Sequence, residues 1–162
     1  RHISQVIETG ESALFLVAES GVLASSADKG ATWKRLKSPY EGSFFGALKS
    51  ADGALLIYGM RGNVFRSTDN GENWEKVELG IKQGLNSGNL AADGRILLAG
   101  NGGVIEMSSD NGKTFSKHVI PGNPSLARVL AQADGSLLYV GALASGRIEK
   151  DALNNAGKAT EK

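Results

Sequence analysis

A chain of 162 residues with 18 Lys and Arg against 17 Asp and Glu carries a formal net charge of +1, so no basic surplus marks it for nucleic acid. It has no cysteine, which excludes disulfides, thiol catalysis and Cys-based zinc sites, and no apolar run approaches the roughly 18 residues of a membrane span. Hydrophobic residues make up 41%, enough for a packed core, and the 22 Gly against 3 Pro are about twice the usual Gly share, a sign of many tight turns.

The opening Arg1-His-Ile-Ser4 has no signal-peptide character and starts inside a patterned strand, as a processed or excised piece would. A first strand, A, is expected over residues 2–7 and a second, B, at Leu14-Phe-Leu-Val17. The segment Ser26-Ala-Asp28-Lys-Gly30-Ala-Thr32-Trp33 then introduces a motif that returns twice. Its copies are Ser67-Thr-Asp69-Asn-Gly71-Glu-Asn73-Trp74 and Ser108-Ser-Asp110-Asn-Gly112-Lys-Thr114-Phe115, 41 residues apart each time. Asp52-Gly53, Asp93-Gly94 and Asp134-Gly135 keep the same interval, each followed by an apolar run, and so do Gly21, Gly62 and Gly103. In the second unit the strands fall near residues 43–49 (A), 54–58 (B), 63–67 (C) and 73–77 (D), with Asp-Gly turning A into B and Ser-x-Asp-x-Gly turning C into D.

Four antiparallel strands in about 40 residues make one propeller blade. The expected fold is therefore all-β, a β-propeller with a 41-residue repeat: blades at 1–41, 42–82 and 83–123, and a partial fourth at 124–150. The fourth holds A and B and room for C, from residue 125 to about 148. Asp151 keeps the register there, but Ala152-Leu153 replaces the turn sequence. Residues 151–162 are a polar tail, and the stretch from Glu149 reads as a frayed end or short helix. Closed propellers have four to eight blades, so the chain is expected to be the C-terminal half of a larger ring, completed by N-terminal blades outside this chain that also supply the missing D strand; the alternatives are a ring completed by another chain or a compact four-bladed ring.

The repeated motif is expected to be structural. Gly30, Gly71 and Gly112 suit positive φ, each Asp carboxylate is placed to accept N–H bonds within its own turn, and Trp33, Trp74 and Phe115 offer apolar faces to a neighbouring sheet. Three near-identical aspartates spread over three blades do not make one catalytic or calcium site. The motif resembles the Asp-box, or bacterial neuraminidase repeat. The wider pattern, Pro39-Tyr-Glu-Gly-Ser-Phe-Phe-Gly46 and Gly59-Met-Arg-Gly62 followed by Arg66-Ser-Thr-Asp-Asn-Gly71, is similar to the photosystem II stability/assembly factor-like propellers.

Strand alternation puts the A–B and C–D turns at one pole and the B–C and D–A loops at the other, where the units diverge and where function is expected. The first D–A loop, Ser38-Pro-Tyr-Glu-Gly-Ser43, carries an aromatic and an acid that its counterparts lack. Tyr40, Glu41 and Arg61 are the candidate contact cluster, joined by Phe45 and, near the second Asp-box, Arg66. Phe44 aligns with Ile3, Leu85 and Leu126 and reads as core; Phe45 aligns with Ser4, Asn86 and Ala127 and is expected to reach the channel. The resemblance implies a non-catalytic interaction or assembly module that binds a protein, an integral membrane-protein subunit or intermediate, with no cofactor, and it favours an exported or periplasmic setting.

The alternative is a sialidase-like glycosidase or glycan-binding propeller, which the Asp-box also suggests. Such enzymes resemble one another in an arginine triad and a Tyr nucleophile with a Glu partner. The arginines here are Arg1, Arg35, Arg61, Arg66, Arg95, Arg128 and Arg147 and the tyrosines Tyr40, Tyr58 and Tyr139; no Arg-Ile-Pro segment occurs and no catalytic residue is assigned. With His2 and His118 as the only histidines, no cluster has metal-ligand spacing. Asn101-Gly-Gly103 reads as a B–C turn rather than a phosphate loop.

Overall fold

The computed structural model describes residues 2–155; Arg1 and the tail from 156 onward lie outside the described residues. The first blade is β1 (Ile3–Glu8), β2 (Leu14–Ala18), β3 (Leu23–Ser26) and β4 (Lys34–Leu36). The second is β5 (Phe44–Lys49), β6 (Leu55–Gly59), β7 (Val64–Ser67) and β8 (Glu75–Val77). The third is β9 (Leu85–Leu90), β10 (Ile96–Gly100), β11 (Val104–Ser108) and β12 (Ser116–Val119). The fourth has three strands, β13 (Leu126–Ala131), β14 (Leu137–Gly141) and β15 (Ser145–Ile148), followed by a short helix, α1 (Lys150–Asn155). Every sheet pairs antiparallel in chain order, and the inner strands β1, β5, β9 and β13 lie side by side along the axis of the arc.

The turns explain why the strands begin and end where they do. In the C–D turns Lys29, Asn70 and Asn111 and then Gly30, Gly71 and Gly112 all take left-handed φ, between 57° and 89°. Ser67 Oγ donates to Asp69 Oδ1 at 2.8 Å and accepts the Gly71 N–H at 2.9 Å. Asp69 in turn accepts the Asn73 N–H at 2.9 Å and its side-chain amide at 2.8 Å. Because Asn73 is engaged this way, β8 starts at Glu75 rather than at residue 73. The same network recurs around Asp28 with Thr32 and Asp110 with Thr114.

The core lies between blades, not within one. Each blade turns one face to its predecessor and the other to its successor. Phe15, Val17 and Leu23 of the first blade pack against Phe44, Ala47, Leu55, Ile57 and Phe65 of the second. Leu56, Tyr58 and Val64 pack on to Leu85, Ile96 and Leu98 of the third, and Leu97, Ala99 and Ile105 on to Leu126, Val129 and Leu137 of the fourth. The Asp-box aromatic reaches back across each junction: Trp74 packs on the first core, 5.9 Å from the ring of Phe15, and Phe115 on the second. Trp33, in the first of these blades, is exposed, and its Nε1 donates to Gly30 O. In the fourth blade α1 stands where the Asp-box turn would be, and Leu153 packs on the third core.

Candidate functional site

The Asp-box pole is a scaffold whose polar groups are already committed. Hydrogen bonds from the Thr32 side chain and backbone and from Ser26 hold the Asp28 carboxyl down at about 2. Those from Asn73 and Ser67 hold Asp69 at about 2, and those from Thr114 and Ser108 hold Asp110 well below the usual carboxylate range. A carboxylate so stabilised does not serve as a general acid at neutral pH. A cleft of about 630 Å³ opens here between the first two blades, lined by Thr32, Lys34, Asp69 and Glu72 among others, and the exposed Lys34–Glu72 pair at 2.7 Å spans it.

The arginines at this pole are committed too. Arg66 is buried, with Nη2 donating to Asp52 Oδ2 at 2.6 Å and Nε to the Asn111 carbonyl at 2.9 Å. It ties the A–B turn of the second blade to the Asp-box turn of the third, and so is not brought to the Tyr40–Glu41–Arg61 cluster. Arg95 pairs with Asp93 at 2.8 Å, and Arg147 pairs with both Asp134 and Glu149. Arg66, Arg95 and Arg147 each meet an aspartate at the Asp-box pole, and Arg61 lies in a loop at the other, so these four are not brought together. Among the described residues no group of three His, Cys, Asp or Glu side chains gathers as metal ligands, and no helix is long and apolar enough to cross a membrane.

At the opposite pole the D–A loop (residues 38–43) abuts two B–C loops. The Met60 N–H donates to Ser43 O at 3.1 Å, and the Ser20 N–H to Ser43 Oγ at 3.3 Å. Glu41 and Arg61 are exposed on these adjoining loops. Tyr40 is half-buried instead: its ring stacks on Phe65 at 6.4 Å and meets Phe44 edge-on at 6.1 Å, so it braces the loop against the first core. Phe44 is fully buried and Phe45 is exposed on β5 beside Gly84. Arg61 sits in a single 3-10 turn, Met60–Gly62, at φ 58° and ψ 30°. Its counterpart in the turn Asn101–Gly103 is Gly102, at φ 71°. The first blade's counterpart, Ser20, takes the same conformation at φ 56°, so this turn holds a non-glycine residue in two of three blades, at about 1 kcal/mol each.

Beside Phe45's counterpart position the loops build a polar cluster that strand alignment alone does not reveal. Asn86 Nδ2 donates to Asn101 Oδ1 at 3.0 Å and to the Leu126 carbonyl at 2.9 Å, and Ser125 Oγ donates to the same Asn101 Oδ1 at 2.7 Å. The third and fourth blades contribute to it. The sequence signal is present in part, since Asn86 aligns with Phe45, the residue expected to reach the channel.

Residues 65–76 match the BNR/Asp-box repeat family model, and no curated protein matches the chain. Among solved structures the chain is similar to YCF48 bound to D1 peptide, at 15% identity and a TM-score of 0.66, covering 87% of this chain and 48% of that one. It is similar to YCF48 from Cyanidioschyzon merolae, at 17% identity and a TM-score of 0.64, over 86% of this chain and 50% of that one. It is likewise similar to virginiamycin B lyase from Staphylococcus aureus, at 18% identity and a TM-score of 0.74, over 92% of this chain and 53% of that one. The Asp-box reading holds, and the likeness to assembly-factor propellers holds at the level of the fold. The chain spans about half the length of these three solved structures.

Proposed function

We propose that this chain is a non-catalytic interaction module that engages a protein partner through the pole built from the D–A and B–C loops. Glu41, Phe45 and Arg61 make the contacts, and Tyr40 holds their loop in place. The observation that carries this reading is Arg61, an exposed cation on the loop adjoining Glu41, at a position where the neighbouring blades hold Ser20 and Gly102. An exposed guanidinium is a common interface anchor. A propeller of the same fold has been captured with a peptide, in YCF48 bound to D1 peptide, which supports a protein partner over a glycan. The partner proposed is an integral membrane protein, met in an exported or periplasmic setting; both follow from the resemblance to assembly-factor propellers.

Capture from detergent-solubilised membranes tests the reading with three forms of the chain. Wild type and a variant altered at the Asp-box pole (Lys34→Ala with Glu72→Ala) are expected to retain the same membrane protein, and Arg61→Gly with Glu41→Ala to lose it. Equal capture by all three overturns the assignment of the face.

A further inference from the structure

We infer that the loop pole holds a niche at Gly84, between Phe45 and Asn101, that seats a main-chain carbonyl of a peptide while the neighbouring apolar side chain lies on Phe45. The inference rests on the interaction reading of this pole and names the part of a protein partner that the pole grips. The repeat makes the niche visible. At the junction of the first and second blades Ser43 Oγ accepts the Ser20 N–H at 3.3 Å, and at that of the third and fourth Ser125 Oγ donates to Asn101 Oδ1 at 2.7 Å. A serine at the end of each of these D–A loops thus bridges to the B–C loop of the blade before it. The equivalent residue between the second and third blades is Gly84, which has no side chain to make the bridge. Arg61 takes the backbone conformation of Ser20, φ 58° against 56°, but its N–H is left without that serine oxygen.

Hydrogen bonding fixes what lines the gap. The Leu126 carbonyl can only accept, so it takes one N–H of Asn86; Asn86 Nδ2 also donates to Asn101 Oδ1, which receives Ser125 Oγ as well. This orients the Asn101 amide and turns its Nδ2 to Gly84. A methyl placed on Gly84 would stand 3.5 Å from Asn101 Nδ2 and 3.5 Å from Phe45 Cε2, so the glycine leaves a methyl-sized space open between a held donor and an aromatic edge. The Asn101 N–H to Gly84 O bond at 3.0 Å keeps the two loops together. A donor already held in place binds without the entropy cost of ordering it. N–H donors suit an oxygen that only accepts, and Phe45, 36% exposed, with Met60, 38%, on the adjoining loop supplies apolar surface beside it. A peptide carbonyl and the apolar side chain next to it combine the two. A sugar ring stacks on an open aromatic face, whereas Phe45 turns an edge to the gap.

The test is a nitrogen–proton NMR titration of the chain with acetyl-Gly-Leu-Gly-amide at millimolar concentration, followed at the Gly84 and Arg61 N–H and the Asn101 side-chain amide. Saturable shifts at these signals are expected, with acetyl-Gly-Gly-Gly-amide binding about tenfold more weakly, the scale of one apolar side chain. Gly84→Ala, at a position free of left-handed φ, fills the gap at ordinary contact distance and is expected to keep the wild-type fold and lose the shifts. Should it fold differently, Asn101→Asp serves in its place, because it keeps the acceptor for Asn86 and Ser125 and removes the donor that faces Gly84. No shift in wild type, or an unchanged titration in a folded variant, overturns the inference. So does a response to methyl glucoside without one to the peptide, which would make this a glycan site. Capture from detergent-solubilised membranes separates the niche from the reading beneath it. If the peptide titrates as expected but Arg61→Gly with Glu41→Ala still captures the membrane protein, the niche stands and the wider face falls. If that double variant loses capture while Gly84→Ala titrates as wild type does, the face stands and the niche falls.

Discussion

Arg66 and Asp52 form an ion pair at 2.6 Å that joins two turns of different kinds, and the Arg66 Nε–H to Asn111 O bond extends it into the next blade. The arginine is 8% exposed and the aspartate 35%, so the pair is only partly screened by water. Arg66→Met is expected to lower stability by about 2 kcal/mol, the scale of a lost hydrogen bond to a charged group. Arg66→Lys is expected to recover only part of this, because an ammonium does not reproduce the fork that reaches both acceptors. Urea midpoints of the three proteins check this, and partner capture is expected to be unchanged in all of them.

The Asp-box carboxylates make the fold sensitive to acid. Hydrogen bonds from residues 32 and 26, and from 73 and 67, hold Asp28 and Asp69 at about 2, below the ordinary 3.8. A depressed folded-state value means that the unfolded chain binds protons first as pH falls. Their contribution is fully present above about pH 4 and is lost as the pH falls through 2. Asp69→Ala is expected to lower the melting temperature at pH 7 and to flatten the decline between pH 4 and 2. An unchanged melting temperature at pH 7 would contradict the turn network. Partner specificity is expected to survive the substitution.

The sequence makes the blade plan legible because its period is carried by residues with a local mechanism. Asp-Gly and Ser-x-Asp-x-Gly dictate their own turns, and the positive φ at Gly71 and Gly112 follows from the absence of a Cβ. Less legible is the direction in which a loop side chain turns. Tyr40 looks like a contact residue in a variable loop, yet its ring rests on Phe44 and Phe65, and only the three-dimensional juxtaposition of two strands decides that. Arg66 reads equally well as an interface anchor or a scaffold pair. The Asn86–Asn101–Ser125 cluster joins a strand and a loop of the third blade to the start of the fourth, which a single-unit alignment does not bring together.

Glu106 is expected to give the opposite pH dependence. It is buried on β11, its Oε1 lacks a hydrogen-bond partner, and burial pushes its carboxyl up to about 7, opposed by the charge of Lys117. A raised folded-state value means that the native chain holds the proton longer than the unfolded one. This group therefore favours folding below about pH 4.5 and that benefit is lost as the pH rises through 7. Its counterpart one blade earlier is Phe65, a core aromatic. Glu106→Gln is expected to raise the melting temperature at pH 8 and to remove the loss of stability between pH 4.5 and 7. A melting curve series that keeps that loss in the variant would assign it elsewhere; His118, which burial shifts downward, gives the opposite slope, since the unfolded chain then binds the proton more readily.

Arg61 and Tyr40 separate binding from stability. Tyr40→Ala removes a ring from the first core and is expected to cost roughly 2–3 kcal/mol, so any loss of partner capture by that variant mixes two effects. Arg61→Gly acts on the partner alone. It relieves the left-handed strain at φ 58°, worth about 1 kcal/mol, against a similar entropy cost of placing glycine in the chain. Its melting temperature is expected to stay within a few degrees of wild type while partner affinity falls about tenfold or more, the scale of a lost arginine anchor. Calorimetric melting and titration of the same preparation check both halves. A stable Arg61→Gly protein that still binds as wild type does would leave Glu41 and Phe45 to carry the interface, and a destabilised one would mean that the arginine serves the loop rather than the partner.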